Sequence, residues 1–165
     1  MKMLLRAALL LSLFATIQHG AQAGVVRPAP SFGFEGLAKA SNLHGFHGQS
    51  VVLVITRSAR DKEFRKQVAR LKEMYAQFAT EKVVFVAAIE NGPAEVRSDI
   101  PFVTAANPAQ VAADYGVSGR FAIAVIGVDG NLDMITNRVV GAERVRDVIF
   151  NNYESQQASR KQPRS

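Results

Sequence analysis

The chain has 165 residues, with 20 Lys plus Arg against 14 Asp plus Glu, and it contains no cysteine and no tryptophan. That length suits one domain or two small ones, and 48% hydrophobic with 21% charged residues is typical of a globular protein rather than a disordered or collagen-like one. The absence of cysteine excludes disulfides, thiolate nucleophiles, cysteine-ligated zinc and iron–sulfur clusters.

The first 23 residues have the pattern of a secretory signal peptide. Lys2 and Arg6 form a positively charged n-region before an apolar stretch over residues 7–17, and a small-x-small cleavage site ends at Ala23. The apolar stretch is too short to span a bilayer. We therefore expect cleavage near Ala23, a periplasmic or secreted mature protein, and no transmembrane segment in the mature chain.

The net charge of +6 is concentrated at the two ends of the chain. Two of the basic residues lie in the predicted signal peptide, and three lie in residues 155–165, a polar stretch without an apolar period. Fifteen basic and fourteen acidic residues remain between them. Phosphate-dominated binding needs a basic surface on the folded body, so we expect no nucleic-acid partner. Residues 155–165 are predicted to be a disordered basic tail.

Residues 24–50 are predicted to form an extended N-terminal arm. The arm contains Arg27-Pro28-Ala29-Pro30, and the alternation of Phe32 with Phe34 suits a short strand or a strap packed on the core. After the arm, Val51 to Thr56 is a β-branched apolar run without a polar interruption. Such a run predicts a central strand that is covered on both faces.

Residues 61–80 are predicted to form one amphipathic helix. Their apolar side chains recur at steps of four and three residues: Phe64, Val68, Leu71, Tyr75 and Phe78. Ser58 or Asp61 can cap the helix start, and their spacing allows a capping-box-like exchange. Residues 83–89 form a second buried-strand run. A strand, a helix and a strand at this spacing require a right-handed crossover, so the two strands should be parallel.

The predicted folded domain spans residues 51–154. Its second half begins with a loop rich in Asn, Gly and Pro, which starts at Glu90. Then follow a short helix at 108–115, a strand at 121–128, a hairpin turn at Asp129-Gly130, an antiparallel strand at 132–136 and a helix from Gly141 to about Tyr153. The predicted order is β-α-β, a short helix, then β-β-α.

Two segments resemble the thioredoxin-like superfamily. Tyr115-Gly-Val-Ser-Gly119 before a strand, with Asp129-Gly130 after it, is similar to the Tyr-Gly-Val-x-Gly … Asp-Gly segment of thioredoxin-like and peroxiredoxin-like proteins. Residues 42–56 resemble the Leu-x-Gly-Lys-x-Val-Val-Leu-Val segment of the same superfamily. The resemblance covers roughly residues 27–153. It implies a thioredoxin-like three-layer α/β fold, with β-α-β then β-β-α around a mixed sheet of four to five strands.

Within the superfamily, residues 54–67 are most similar to a bacterial group of exported thioredoxin-like domains of unknown function that lack the redox cysteines. Redox members carry Cys-x-x-Cys, or one peroxidatic cysteine, in the loop that opens the first helix, but here residues 57–61 contain no cysteine. The cis-proline of the superfamily is replaced by Phe121, after Arg120. A cis bond before a residue other than proline is costly, so we expect a trans bond there.

The resemblance implies that residues 57–61 and 119–121 share one edge, which is the candidate contact surface. Three arginines around a helix N-terminus can form a pocket for a carboxylate or phosphate, although a solvated surface is the commoner role of such residues. The candidate binding residues are Arg57, Ser58, Arg60, Asp61, Arg120 and Phe121. The expected function is an exported binding or interaction module without thiol-redox activity or a cofactor. Its expected partner is a periplasmic or extracellular protein, or a small anionic ligand.

Two other interpretations remain open. One is a peroxiredoxin-like or other superfamily enzyme that uses non-thiol groups such as Ser58, although no Gly-x-Ser-x-Gly elbow surrounds this residue. His44 and His47 can act as bases near neutral pH. They lack a nearby third ligand, since Glu35 is the closest upstream acid, so no metal site is expected. The other interpretation is a structural accessory whose tail docks on an anionic surface.

Overall fold

The structure, a computed structural model, describes residues 27–35, 42–91, 96 and 98–161, and for residues 152–161 it describes the backbone alone. The predicted signal peptide and residues 162–165 of the predicted tail lie outside the described residues. After a 3-10 turn at Leu43–Phe46, the elements are β1 Val51–Thr56, α1 Lys62–Lys72, α2 Tyr75–Thr80, β2 Val84–Ile89, β3 Phe102–Thr104, α3 Pro108–Asp114, β4 Phe121–Ile126, β5 Leu132–Thr136 and α4 Ala142–Lys161.

The five strands form one mixed sheet in the order β3-β2-β1-β4-β5. The central strand β1 pairs in parallel with β2, with Val51 opposite Val84, and antiparallel with β4, with Val51 opposite Ile126. The outer strand β3 pairs in parallel with β2, and the other outer strand, β5, pairs antiparallel with β4. The predicted mixed sheet, its parallel β1–β2 pair and its antiparallel β4–β5 hairpin are therefore confirmed. Gly130 in the hairpin turn has φ +79°, a conformation that favours glycine.

The sheet is covered on both faces, which makes the fold a three-layer α/β arrangement. Because side chains alternate along a strand, Val52 and Val54 of β1 face one side and Leu53 and Ile55 face the other. The first face packs against α1, α2 and α4, and the second packs against α3 and the N-terminal segment. All six residues of β1 are buried, as the sequence predicts for a central strand.

The structure divides the single helix predicted at 61–80 into α1 and α2. The hydrogen-bond pattern tightens at the junction, where the amides of Glu73 and Met74 donate to carbonyls three residues earlier, at Arg70 and Leu71. One tightened turn leaves the apolar side chains on the same side of the helix. The apolar spacing in the sequence therefore does not distinguish one helix from two.

Two further predictions differ from the structure. The strand β3 lies where a loop was predicted, because three residues are too few to establish an alternating pattern. The helix α4 continues to Lys161, so the backbone of residues 155–161 is helical where the sequence predicts a disordered tail. These residues include the good helix formers Gln, Ala, Arg and Lys, and the first proline comes only at Pro163.

Residues 27–35, here called the N-terminal strap, cross the second face of the sheet. The Ala29 amide donates to the Gly130 carbonyl at 3.0 Å, and the Glu35 amide donates to the Thr104 carbonyl at 3.0 Å. The strap therefore runs from the β4–β5 hairpin to β3. Its Phe32 side chain is only 7% exposed and joins the core of that face. Of the two predicted forms of this segment, the strap is the one observed, with isolated bridges in place of a continuous strand.

A buried glutamine connects α1 to the loop between β5 and α4. Gln67 is fully buried, its amide Nε2 donates to the Val140 carbonyl at 3.1 Å, and its Oε1 accepts from the Val140 amide at 2.9 Å. Both backbone groups of one loop residue are thus satisfied by one side chain. The contact holds residues 137–140 against α1.

We predict that Gln67→Leu lowers the free energy of unfolding by about 2 kcal/mol, because two backbone groups of Val140 lose their partner in a partly buried position. Urea denaturation measures the change. Gln77→Leu, at an exposed position of α2, is the control and should change stability by no more than about 0.5 kcal/mol. Equal effects of the two substitutions would contradict the assigned role of Gln67.

We predict a pH-dependent effect of Tyr115→Phe. The Tyr115 hydroxyl donates to the Pro30 carbonyl of the strap at 3.0 Å, so its loss should cost about 1 kcal/mol at neutral pH. Burial raises the pKa of this phenol, the Asp114 carboxylate raises it further, and Arg27 opposes the shift. The unfolded chain ionises first, so the wild type loses stability above about pH 10, and the difference between the two proteins should narrow there. Urea denaturation at several alkaline pH values measures this; a constant difference would contradict it.

Candidate functional site

The loop after β1 begins with an arginine whose backbone is held on both sides. The Arg57 amide donates to the Arg120 carbonyl at 3.1 Å, which extends the β1–β4 pairing by one residue. The Arg57 carbonyl accepts from the Asn91 amide at 2.8 Å, just beyond β2. The structure therefore brings the backbones of Arg57 and Arg120 together, as the resemblance to thioredoxin-like proteins implies.

A compact hydrogen-bond network shapes the rest of the loop. The Asp61 Oδ2 accepts from the Thr56 hydroxyl at 3.1 Å and from the Ser58 amide at 3.2 Å. The Ser58 Oγ accepts from the Arg60 amide at 3.2 Å. Asp61 is the N-cap residue of α1, but its side chain makes no cap hydrogen bond to the helix. The predicted capping-box exchange is thus only half present. The Asp61 carboxylate accepts from the Ser58 amide, but the Ser58 hydroxyl accepts from the Arg60 amide and not from the Asp61 amide.

Three arginine side chains project from this edge of the sheet. Arg57, Arg60 and Arg120 are exposed, and none of them forms an ion pair or a side-chain hydrogen bond with another described residue. We call the surface formed by these three side chains the arginine edge. The nearby Asp61 carboxylate is hydrogen-bonded within the loop and forms no ion pair with these guanidinium groups. The arginine edge can bind carboxylate or phosphate groups through charge-assisted hydrogen bonds.

Phe121 does not belong to the exposed part of the candidate site. Its side chain is 3% exposed and lies in the core of the first face, next to the helices. The strand pairs Phe121 with Thr56, and alternation then points the ring into the core. Phe121 was predicted to take part in binding, but its ring is buried, so only its backbone lies at the edge. The described residues contain no cis peptide bond, so the bond before Phe121 is trans, as expected.

The two histidines lie at the opposite end of β1 from the arginine edge. His44 and His47 are exposed and their rings stack with centroids 6.2 Å apart, beside the hairpin turn at Gly130. The strand between His47 and Ser58 spans about 17 Å, so the structure does not bring a histidine to the Ser58 hydroxyl. Within the described residues, no group of three or more His, Asp or Glu side chains is arranged to hold a metal ion.

An open cleft adjoins the arginine edge, and the sequence patterns do not reveal it. The cleft has a volume of about 360 Å³ and lies between the loop before β4 and the end of β5. Gly119, Ala122 and Ile135 are among its lining residues. Beside it, Arg138 follows the end of β5 at the same sheet edge. One sequence feature could have pointed to Arg138 as a site residue. It lies two residues after the end of β5, and this end of β5 is next to the start of β4.

The chain was compared with known protein families, curated proteins and solved structures. No family model and no curated protein matches it. Solved structures do match. The thioredoxin domain of a thiol-disulfide oxidoreductase from Bacteroides vulgatus is 16% identical, with a TM-score of 0.56, 78% of this chain covered and 94% of that one. A thiol:disulfide interchange protein from Bacteroides sp. is 18% identical, with a TM-score of 0.58, 79% of this chain covered and 88% of that one.

A further similar structure comes from a different class of protein. The reduced 2-Cys peroxiredoxin of Plasmodium vivax is 16% identical, with a TM-score of 0.57, 78% of this chain covered and 96% of that one. The chain has a thioredoxin-like fold. The names of these three proteins refer to thiol or cysteine chemistry, whereas this chain contains no cysteine. In the described part of the chain, the helices do not combine the length and apolar character needed to cross a membrane.

We predict that a double substitution creates a disulfide in the loop before α1. The Asp61 amide donates to the Ser58 carbonyl at 3.0 Å, which closes a four-residue turn and brings the two α-carbons within about 7 Å. A disulfide spans about 4.4–6.8 Å between α-carbons. Ser58→Cys combined with Asp61→Cys should therefore oxidise to an intramolecular disulfide, detected by mass spectrometry as protection from alkylation.

The two single cysteine variants are the controls, and both should remain open to alkylation. Circular dichroism should show that the double variant is folded, since it loses the Asp61 carboxylate as an acceptor. A folded double variant that remains fully alkylated under oxidising conditions would contradict the close approach of positions 58 and 61.

Proposed function

We propose that this protein is an exported binding module that uses the arginine edge as its contact surface and has no thiol-redox activity. The observation that carries the proposal is the set of exposed guanidinium groups at Arg57, Arg60 and Arg120, which lack acidic partners among the described residues. Their loops are ordered by backbone and side-chain hydrogen bonds. Because the backbone of these loops is already ordered, the loss of conformational entropy on binding an anionic partner is confined to the arginine side chains.

The lack of thiol-redox activity follows from chemistry rather than from geometry. Thiol–disulfide exchange proceeds by attack of a thiolate on a disulfide sulfur, and peroxide reduction by a thiol also begins with that nucleophile. The chain has no cysteine anywhere in its sequence. A thioredoxin-like fold without sulfur nucleophiles retains the edge geometry but not this reaction.

The partner that suits this surface is a periplasmic or extracellular protein with an acidic region, or a small anionic ligand. Export is inferred from the signal-peptide pattern of residues 1–23. A nucleic acid is disfavoured because the chain between the predicted signal peptide and the tail carries fifteen basic and fourteen acidic residues. The arginine edge is therefore a local cationic surface on a nearly neutral protein.

A non-thiol enzyme is the weaker alternative. Its proposed nucleophile, the Ser58 hydroxyl, already accepts a hydrogen bond from the Arg60 amide. A general base must come within hydrogen-bond reach of its nucleophile, and the histidines lie at the other end of β1. Neither observation supports a catalytic pair.

The contact surface can be tested by photo-cross-linking in the exported fraction of cells. A photoreactive amino acid replaces the exposed Ser118, beside the arginine edge. It should cross-link to a protein partner. The yield should fall on the order of tenfold when Arg57, Arg60 and Arg120 are all changed to alanine, because three exposed charge pairs are lost.

The matched control removes three positive charges elsewhere. Arg65, Lys66 and Arg70, all exposed on α1, are changed to alanine in a second variant. This control should leave the cross-linking yield unchanged. Equal yields from the edge variant and the control variant would show that the arginine edge is not the contact surface.

A further inference from the structure

The cleft beside the arginine edge has a mixed lining, in which polar residues such as Ser118, Thr136 and Asn137 surround the exposed apolar side chain of Ile135. Among the described residues, Ile135 of β5 is the large hydrophobic residue with an exposed side chain, and it is 37% exposed. It lines the cleft together with Val117, which is half-buried, and Ala122 at the floor. An apolar side chain of a partner would remove this surface from water.

The cleft exists because of small residues in β4 and incomplete cover by the strap. Ala122 and Ala124 face the second side of the sheet, where larger residues occupy the corresponding places in β1. The strap covers the hairpin end of β4 and β5, where the Leu132 amide donates to the Arg27 carbonyl at 2.8 Å. At the other end of the two strands, the short side chains leave a volume of about 360 Å³ open.

Two arginines flank the cleft. Gly119 and Asn137 line its two rims, and each immediately precedes an exposed arginine, Arg120 or Arg138. The start of β4 and the end of β5 are adjacent at this edge, since paired strands lie about 5 Å apart. The Arg138 amide donates to the Thr136 hydroxyl at 3.3 Å, which fixes its backbone. Neither guanidinium forms an ion pair with a described residue.

We propose that the cleft and its two flanking arginines bind an extended acidic segment of a partner protein, with an apolar side chain of that segment on Ile135 and carboxylates on Arg120 and Arg138. This inference rests on the proposed function, and it specifies the chemistry of the partner. It also adds Arg138 and Ile135 to the contact surface.

An acidic polypeptide fits this surface better than a small anion or a nucleic acid does. The flanking charges lie outside the cleft and its lining is partly apolar, so a simple phosphate or carboxylate would leave Ile135 exposed. Single-stranded nucleic acid binds through exposed aromatic rings on which bases stack. The aromatic side chains at this position, Tyr115 and Phe121, are both buried.

The inference is tested by fluorescence anisotropy with a labelled decapeptide in which glutamate alternates with leucine. Binding to the purified protein should weaken about threefold in Arg138→Gln and in Arg120→Gln, and about fivefold in Ile135→Ser. Lys82→Gln is the control, because this exposed lysine precedes β2 at the opposite edge of the sheet, and it should leave the affinity unchanged. Circular dichroism verifies that each variant is folded.

Two altered peptides separate the charge requirement from the apolar requirement. Replacing glutamate by glutamine, or leucine by serine, should each weaken binding at least fivefold. Equal binding of the serine peptide, tighter binding of a thymidine decanucleotide, or no measurable binding of the glutamate–leucine peptide would overturn the inference.

The same measurements distinguish this inference from the proposed function. If the peptide loses affinity in Arg57→Gln and Arg60→Gln but not in Ile135→Ser or Arg138→Gln, the arginine edge stands and the cleft assignment is wrong. If the peptide binds equally to every arginine variant and to Ile135→Ser, both assignments are wrong.

Discussion

Burial of β1 on both faces of the sheet is the constraint on which the other layers depend. Its six residues, Val51–Thr56, are all buried. A strand of this composition is stable only if both of its faces are removed from water, so helices are needed on one side, and α3 with the strap on the other. Its parallel and antiparallel neighbours then fix which chain ends meet at which edge. The end of β1, the start of β4 and the end of β5 coincide, and that coincidence creates the candidate site.

The loop at this edge has an ordered shape, and it contains no cysteine. The Asp61 carboxylate and the Ser58 hydroxyl satisfy amide donors within residues 57–61. The side chains of Ser58 and Asp61 therefore stabilise the backbone of the loop. The exposed charged side chains of the loop are those of Arg57 and Arg60. Exposed guanidinium groups on an ordered loop favour the contact with anionic groups that we propose for this edge.

The position of the charges is more informative than their sum. The total of +6 arises largely from the predicted signal peptide and the C-terminal segment, whereas the body is close to neutral. Four exposed arginines nonetheless lie at one edge: Arg57, Arg60, Arg120 and Arg138. Because the Debye length is about 10 Å at moderate ionic strength, such a local group of charges acts on a partner at contact distance even when the net charge of the protein is small.

The sequence by itself determined four of the five strands, the parallel β1–β2 pair, the antiparallel β4–β5 pair and the absence of cysteine. Apolar runs and turn residues are local signals, and they correctly predicted β1, β2 and the β4–β5 hairpin. The approach of Arg120 to Arg57 was implied by the resemblance to thioredoxin-like proteins. Tertiary structure decided the rest, because exposure depends on contacts between distant residues. Phe121 was predicted to bind and is buried, since pairing with Thr56 turns its ring into the core. Ile135 and Arg138 became candidates only because the strap covers one end of β4 and β5 and leaves the other end open.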